Sequence, residues 1–170
     1  MLPIAGKKFV ESRSQRIRTW FDFKGTIRTP SNLIGYEESF DFIAGIVRSL
    51  QRLDRPLYLA GYGQGGALAM DVALSDASKI KPVNGVAVFS SYFITHENFS
   101  HDALVETPVF WAHSQRDTKI PFSMAKYGYE VKRKRKILSF LCWKTYLVSF
   151  VCLETIGRNL AMCPFSVFDF

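Results

Sequence analysis

The sequence predicts an α/β fold, a mainly parallel β-sheet flanked by helices, on three observations. Short apolar runs of strand length recur through residues 31–131, each bounded by polar residues or proline, as buried parallel strands usually are. Stretches with helical periodicity lie between them. One of the apolar runs passes directly into a helical pattern through a glycine-rich turn, the junction on which β-α units are built.

Taken in order, residues 1–30 are mixed and basic, with one aromatic island at Trp20-Phe21-Asp22-Phe23. Tyr36–Gln51 places Phe40, Ile43, Ala44, Val47 and Leu50 on one helical face. Glu37, Glu38 and Asp41 stand near its N-terminal end, where the helix dipole favours acids. Arg52–Arg55 is a polar connector, and Pro56–Ala60 is a strand-length apolar run. Gly61-Tyr62-Gly63-Gln64-Gly65-Gly66 follows at once, then a second helical pattern over Ala67–Leu74 that packs through Leu68, Ala69 and Val72. Val83–Phe89 and Val109–Ala112 read as two further strands, and a helix-like segment runs from about Phe122 into a basic block.

Composition narrows the function classes. A chain of 170 residues with 48% hydrophobic and 15% aromatic residues is long and apolar enough for one domain with its own core, which excludes intrinsic disorder. The net charge is +7, but Lys132, Arg133, Lys134, Arg135 and Lys136 carry five of those charges, and without them the chain has +2. One basic block on a near-neutral protein argues against a nucleic-acid-binding face. Cys142, Cys152 and Cys163 are odd in number and lack C-x-x-C spacing, so neither a disulfide framework nor a zinc site is expected, and a reducing, cytoplasmic compartment is. The first residues do not read as a secretory signal.

The glycine-rich turn admits two functional readings beside that of an ordinary tight βα turn. Gly61, Gly63 and Gly66 fit the G-x-G-x-x-G spacing of a dinucleotide loop. That loop wants an acid on the next strand to hold the ribose, and Val83-Asn84-Gly85-Val86 offers none. The second reading is a nucleophile elbow, G-x-S-x-G, in which small neighbours let the chain close around a strained apex. Gly61, Gly65 and Gly66 supply the small neighbours, and Gly63 stands where serine should be.

Three segments carry a resemblance. Leu57–Leu74, L-Y-L-A-G-Y-G-Q-G-G-A-L-A-M-D-V-A-L, is similar to the G-F-S-Q-G-G-A-L-A pattern of the acyl-protein thioesterase and phospholipase-carboxylesterase family. Thr19-Trp20-Phe21-Asp22 resembles that family's S-W-F-D, and Pro108–Pro121 resembles its P-x-x-x-x-H-G-x-x-D-x-x-V-P. All three occur in the family's order. The resemblance implies an α/β-hydrolase-like fold, incomplete at both ends, over residues 1–135, with 136–170 as a divergent hydrophobic tail. It places Asp117 at the triad acid, the backbone N–H of Gln64 at one oxyanion donor, and Gly63 at the nucleophile. His113 matches a strand histidine that is not the base. The family acts on acylated proteins or small esters. In an intact member serine attacks the acyl carbonyl as histidine takes its proton, and backbone N–H groups hold the oxyanion. No metal or organic cofactor is implied.

Against that pattern, Gly63 has no hydroxyl, and Tyr62 and Ser90 are not substitutes for it. His96, His101 and His113 all precede Asp117, whereas the family's base follows the acid, and the family's H-G-x-G-D loop has no counterpart before Trp20. The expectation is a serine hydrolase relative that is catalytically inactive as it stands, with a non-catalytic acyl-binding or membrane-tethered interaction protein as the alternative. Ile137–Leu153 is strongly apolar, but Lys144 near its middle costs about 2.5–3.5 kcal/mol on insertion scales. It reads as a marginal membrane contact through 132–153, as a buried element, or as an unnatural end of a truncated or misread coding sequence.

Overall fold

The computed structural model describes residues 3–10, 14–26, 29–75, 78–94, 107–134, 139–144, 150–156 and 159–165. Its centre is a four-stranded parallel sheet of β5 (Tyr58–Tyr62), β6 (Gly85–Phe89), β7 (Val109–Ser114) and β8 (Ser139–Lys144), in that spatial order. Four short strands precede it as two antiparallel hairpins, β1 (Lys7–Val10) with β2 (Gln15–Arg18) and β3 (Asp22–Thr26) with β4 (Thr29–Ile34). A third hairpin, β9 (Phe150–Ile156) with β10 (Asn159–Phe165), ends the described chain.

Helix α1 (Tyr36–Leu50) buries Tyr36, Phe40, Ile43, Ala44 and Val47, the stripe expected from its periodicity. Glu37 and Glu38 occupy its first turn, and Arg48 in its last turn donates to the Ser78 carbonyl at 2.6 Å. Helix α2 (Gly63–Leu74) is buried nearly all round because it lies between α1 and the sheet. The two helices are tied by the Tyr36 hydroxyl, which donates to the Asp71 carboxylate at 2.8 Å. Burial, reinforced by the Asp71 charge, pushes the Tyr36 hydroxyl far above its ordinary value.

Helix α3 (Phe122–Lys134) lies on the same face of the sheet as α2. Gly61, Val88 and Trp111 share one register row, and a Cβ on Gly61 would strike α2 while one on Gly128 of α3 would strike the Trp111 ring. Successive right-handed crossovers in one direction along a sheet put their helices on one side in this way. The core therefore fills that side, with Val86, Val88, Val109 and Trp111 buried. The other face carries Tyr58, Ala60, Tyr62, Ala87, Phe89 and Phe110, exposed or half-covered, with the Phe89 and Phe110 rings in edge contact at 6.3 Å.

The observed elements correct the sequence-based bounds in three places. The strand expected at Pro56–Ala60 runs through Tyr62, and α2 begins at Gly63, four residues before the expected Ala67. The basic N-terminal stretch forms strands. Part of the apolar run 137–153 forms β8, hydrogen-bonded in parallel to β7, and residues 137–138 and 145–149 lie outside the described residues. Among the described residues no helix is long and apolar enough to cross a membrane.

Candidate active site

The candidate site lies where β5, β6 and β7 end. β5 reaches Tyr62 in extended conformation (φ −111°, ψ 141°), and α2 starts at the next residue without a linker. Gly63 makes that junction at φ +53°, in the left-handed region. Gly61 and Gly66 interlock behind it. A Cβ on Gly61 would lie 2.5 Å from the Gly65 carbonyl oxygen, and one on Gly66 would lie 2.7 Å from the Gly61 carbonyl oxygen. Gly65 is less constrained, its Cβ position being 3.1 Å from Nε1 of Trp20. At Gly63 itself the nearest atoms, Ile120 Cδ1 and the Ser90 carbonyl oxygen, are both 3.9 Å away. A Cβ meets only ordinary contacts at the apex and is excluded at Gly61 and Gly66.

Gln64 is the second residue of α2, so its backbone N–H belongs to a first turn whose amides have no acceptor within the helix. Its side chain works in the opposite direction. Oε1 accepts from the Trp20 N–H at 2.8 Å and lies 2.8 Å from the Thr19 hydroxyl, while Nε2 donates to the Phe21 carbonyl at 2.7 Å. The Thr19 hydroxyl is also 2.7 Å from the Phe21 carbonyl, so its one proton serves one of two oxygens. A single carboxamide thus pins the island at residues 19–21 to the turn.

Asp117 sits in the turn after β7. Its Oδ1 accepts the backbone N–H groups of Lys119 at 2.8 Å and Ile120 at 2.9 Å, and the Ser90 hydroxyl also donates to the carboxylate. Ser90, at the end of β6, has φ +42° and donates its N–H to the Ala112 carbonyl at 2.9 Å. Next to it the buried Ser91 hydroxyl donates to the Gly63 carbonyl at 2.8 Å. The two serines thus connect the acid to the apex of the turn. His113 is 1% exposed on β7. Its Nε2 is 2.8 Å from the Ile120 carbonyl, which fixes the proton on that nitrogen, and 3.7 Å from Asp117 Oδ2. His96 and His101 lie outside the described residues. Among the described residues no three His, Cys, Asp or Glu side chains gather as metal ligands.

A strand-turn-helix junction with an apex at positive φ, an amide just inside the helix and a carboxylate linked to the apex through Ser90 and Ser91 is hydrolase-like geometry. Compared with known families, residues 2–140 match the sequence model of Phospholipase/Carboxylesterase. The chain belongs to the phospholipase/carboxylesterase family. Acyl-protein thioesterase 1 of Gibberella zeae is 27% identical to it over 148 residues, which are 77% of this chain and 60% of that protein. Among solved structures, Arabidopsis thaliana SOBER1 superposes with a TM-score of 0.61 at 20% identity, over 84% of this chain and 71% of that one. Zea mays acyl-protein thioesterase 2 gives 0.65 at 17% identity, over 86% and 73%. The fold is that of an α/β-hydrolase.

Sequence reasoning placed Gly61, Gly63, Gly65 and Gly66 in a turn between strand and helix; in the structure Gly61 belongs to β5 and Gly63, Gly65 and Gly66 to the first turn of α2. It gave no role to Ser90, Ser91 or Thr19, or to the side chain of Gln64. Phe89-Ser90-Ser91-Tyr92 holds no pattern that announces a left-handed serine, and the partners of Gln64 lie 43–45 residues earlier in the chain.

Asp117 makes a testable electrostatic contribution to the fold. Burial pushes its carboxyl up, but the N–H groups of Ile120 and Lys119, the Ser90 hydroxyl and the charge of His113 outweigh that and hold it below its ordinary 3.8. The folded chain therefore binds fewer protons than the unfolded chain just below that value, so stability rises with pH there. The contribution is complete above pH 3.8 and is lost as pH falls through the folded value. Urea midpoints measured between about pH 2 and 5 should therefore fall more steeply on acidification in the wild type than in Asp117→Asn. Parallel acid limbs would show that the carboxylate is not stabilised in the fold.

Proposed function

We propose that this chain is a degenerate member of the serine hydrolases that cleave acyl thioesters and carboxylic esters, of the acyl-protein thioesterase kind, and that it does not hydrolyse them as it stands. In this reading Gly63 takes the nucleophile position, the Gln64 N–H an oxyanion position, Asp117 the acid position, and Gly61, Gly65 and Gly66 form the elbow. Residues 1–135 are the hydrolase-like part and 136–170 the divergent tail. The observation that carries the reading is the positive φ of Gly63 between β5 and α2, where a Cβ would meet its neighbours only in ordinary contact at 3.9 Å. The substrate class follows from the thioesterase relative, whose length the matched region covers only to 60%.

An elbow that keeps its shape without its hydroxyl also fits a protein that holds an acylated partner without cutting it. Titration of the chain with a fluorescent palmitoylated peptide separates the two readings. Saturable binding without release of the acyl group supports retention as an acyl-binding protein. Absence of binding at about 100 µM peptide leaves a scaffold without that role. A cytoplasmic location, with contact to anionic membranes through 132–153, belongs to the same proposal, and sedimentation with vesicles containing phosphatidylserine tests it. The truncation that the reading includes predicts an intact mass well above 19.4 kDa for a full-length form in the native cell.

A further inference from the structure

β9 and β10 pair antiparallel without interruption over seven residue pairs, and in that register Cys152 lies directly across from Cys163. The neighbouring proline decides which kind of pair this is. Pro164 has no N–H to give to the ladder, so it forms a non-hydrogen-bonded pair with Val151 opposite. The two kinds alternate along an antiparallel ladder, which makes Cys152 and Cys163 a hydrogen-bonded pair with Cα atoms about 5.5 Å apart. Directly opposed residues share one face of a hairpin, and a disulfide spans Cα separations of about 4.4–6.8 Å. Among the described residues Cys142 faces no cysteine: the residue across from it on β7 is Ala112.

We propose that Cys152 and Cys163 form a reversible disulfide that closes the β9–β10 hairpin under oxidising conditions. The register favours a reversible bond over a permanent one. A hydrogen-bonded pair holds its Cβ atoms near about 5.5 Å, the wide end for opposed residues, whereas a relaxed disulfide wants about 3.5–4.5 Å. Closure therefore twists the strands, and a strained disulfide is the more readily reduced. Such a bond suits a chain read as cytoplasmic, where disulfides are transient and redox-sensing. No step depends on the hydrolase reading.

The chemistry is exchange with glutathione disulfide. One thiolate attacks a glutathione sulfur and expels glutathione, and the second then attacks the mixed disulfide and expels another. The two thiols give up two electrons and two protons, which leave in two molecules of glutathione. A two-stranded hairpin is marginally stable in water by itself, so its covalent closure changes how firmly the two strands are held together.

Trypsin separates the three cysteines, because cleavage after Lys136, Lys144 and Arg158 leaves Cys142, Cys152 and Cys163 on different peptides. The full chain is reduced, equilibrated in glutathione buffers of rising disulfide content, quenched with N-ethylmaleimide, digested and mapped by mass spectrometry. The linked Cys152–Cys163 pair should accumulate with Cys142 alkylated, and dithiothreitol should return it to free thiols. Chain statistics supply the control. Cys142 and Cys152 are ten residues apart and Cys152 and Cys163 eleven, so loop closure alone favours neither bond. In buffer the 152–163 bond should exceed the 142–152 bond at least about tenfold, and in concentrated urea the two should form about equally. Cys142→Ser should leave the 152–163 bond unchanged. Thiols that remain free or only glutathionylated at the most oxidising ratio, a dominant bond to Cys142, or the same proportions in buffer and in urea would each overturn the proposal.

Discussion

With a palmitoyl thioester at saturating concentration, the 170-residue chain is expected to release thiol no faster than a buffer blank. Loss of the nucleophile or the base of a serine triad costs about 10⁶-fold in turnover, and the missing partners add little because the triad acts as a unit. The residual rate of such variants rests on an intact oxyanion hole, and one donor of that hole is worth about 10²–10³-fold. Here glycine stands at position 63, no histidine follows Asp117, and no H-G-x-G-D loop precedes Trp20. For the same reason Gly63→Ser alone should remain silent. Its Cβ would meet Ile120 Cδ1 and the Ser90 carbonyl oxygen in ordinary contact at 3.9 Å, but the hydroxyl would have no imidazole to deprotonate it. Thioester turnover above the blank by the wild-type chain, or rapid labelling of Gly63→Ser by a fluorophosphonate, would show that these losses are compensated elsewhere.

Alanine substitutions along the turn should be damaging in an order opposite to the one its chemistry suggests. Gly61→Ala drives a Cβ to 2.5 Å from a backbone oxygen and 2.6 Å from Gly66 Cα, neither of which can swing aside. Gly66→Ala meets the Gly61 carbonyl at 2.7 Å. Each should cost about 3 kcal/mol or more, near the upper end of overpacking effects. For a chain of this size that is roughly 6–12 °C in Tm. Gly63→Ala meets no atom closer than 3.9 Å and carries only the left-handed backbone term, about 1–2 kcal/mol. Gly65→Ala asks the Trp20 ring to move by a few tenths of an ångström and should be the mildest. Thermal unfolding of the four variants checks the order. Gly63→Ala proving worse than Gly61→Ala would mean that the apex, not the interlock behind it, holds the turn.

The sheet and its helices were legible where hydrophobic pattern and burial coincide. Val86, Val88, Val109 and Trp111 lie in apolar runs and line the core, and the stripe of α1 packs as its spacing requires. The hairpins β1–β2 and β3–β4 were not legible, because Lys7–Val10 and Gln15–Arg18 are rich in charge and hold only part of an apolar face. The start of α2 was misplaced because Gly63, Gly65 and Gly66 are poor helix formers, and contact with β5 and β6 overrides that preference. β8 was hidden in a run apolar enough to suggest lipid. At the candidate site, the glycine spacing pointed to the strand–helix junction, and the downstream motif pointed to Asp117. The bonds that join them run through Ser90 and Ser91, whose roles depend on β6 ending beside both elements, which no local pattern encodes.

The interlock of Gly61 with Gly66 has a meaning for how such a chain can change over generations. Shape and reactivity are assigned to different codons. Position 63 can lose its side chain while the strand still turns into the helix, because the interlock behind it does not involve that side chain. Folding does not oppose that loss, because glycine takes a φ of +53° without the strain a side chain adds, and only a requirement for the reaction itself would remove it. Selection for folding holds Gly61 and Gly66 in place whether or not the turn they frame carries a nucleophile.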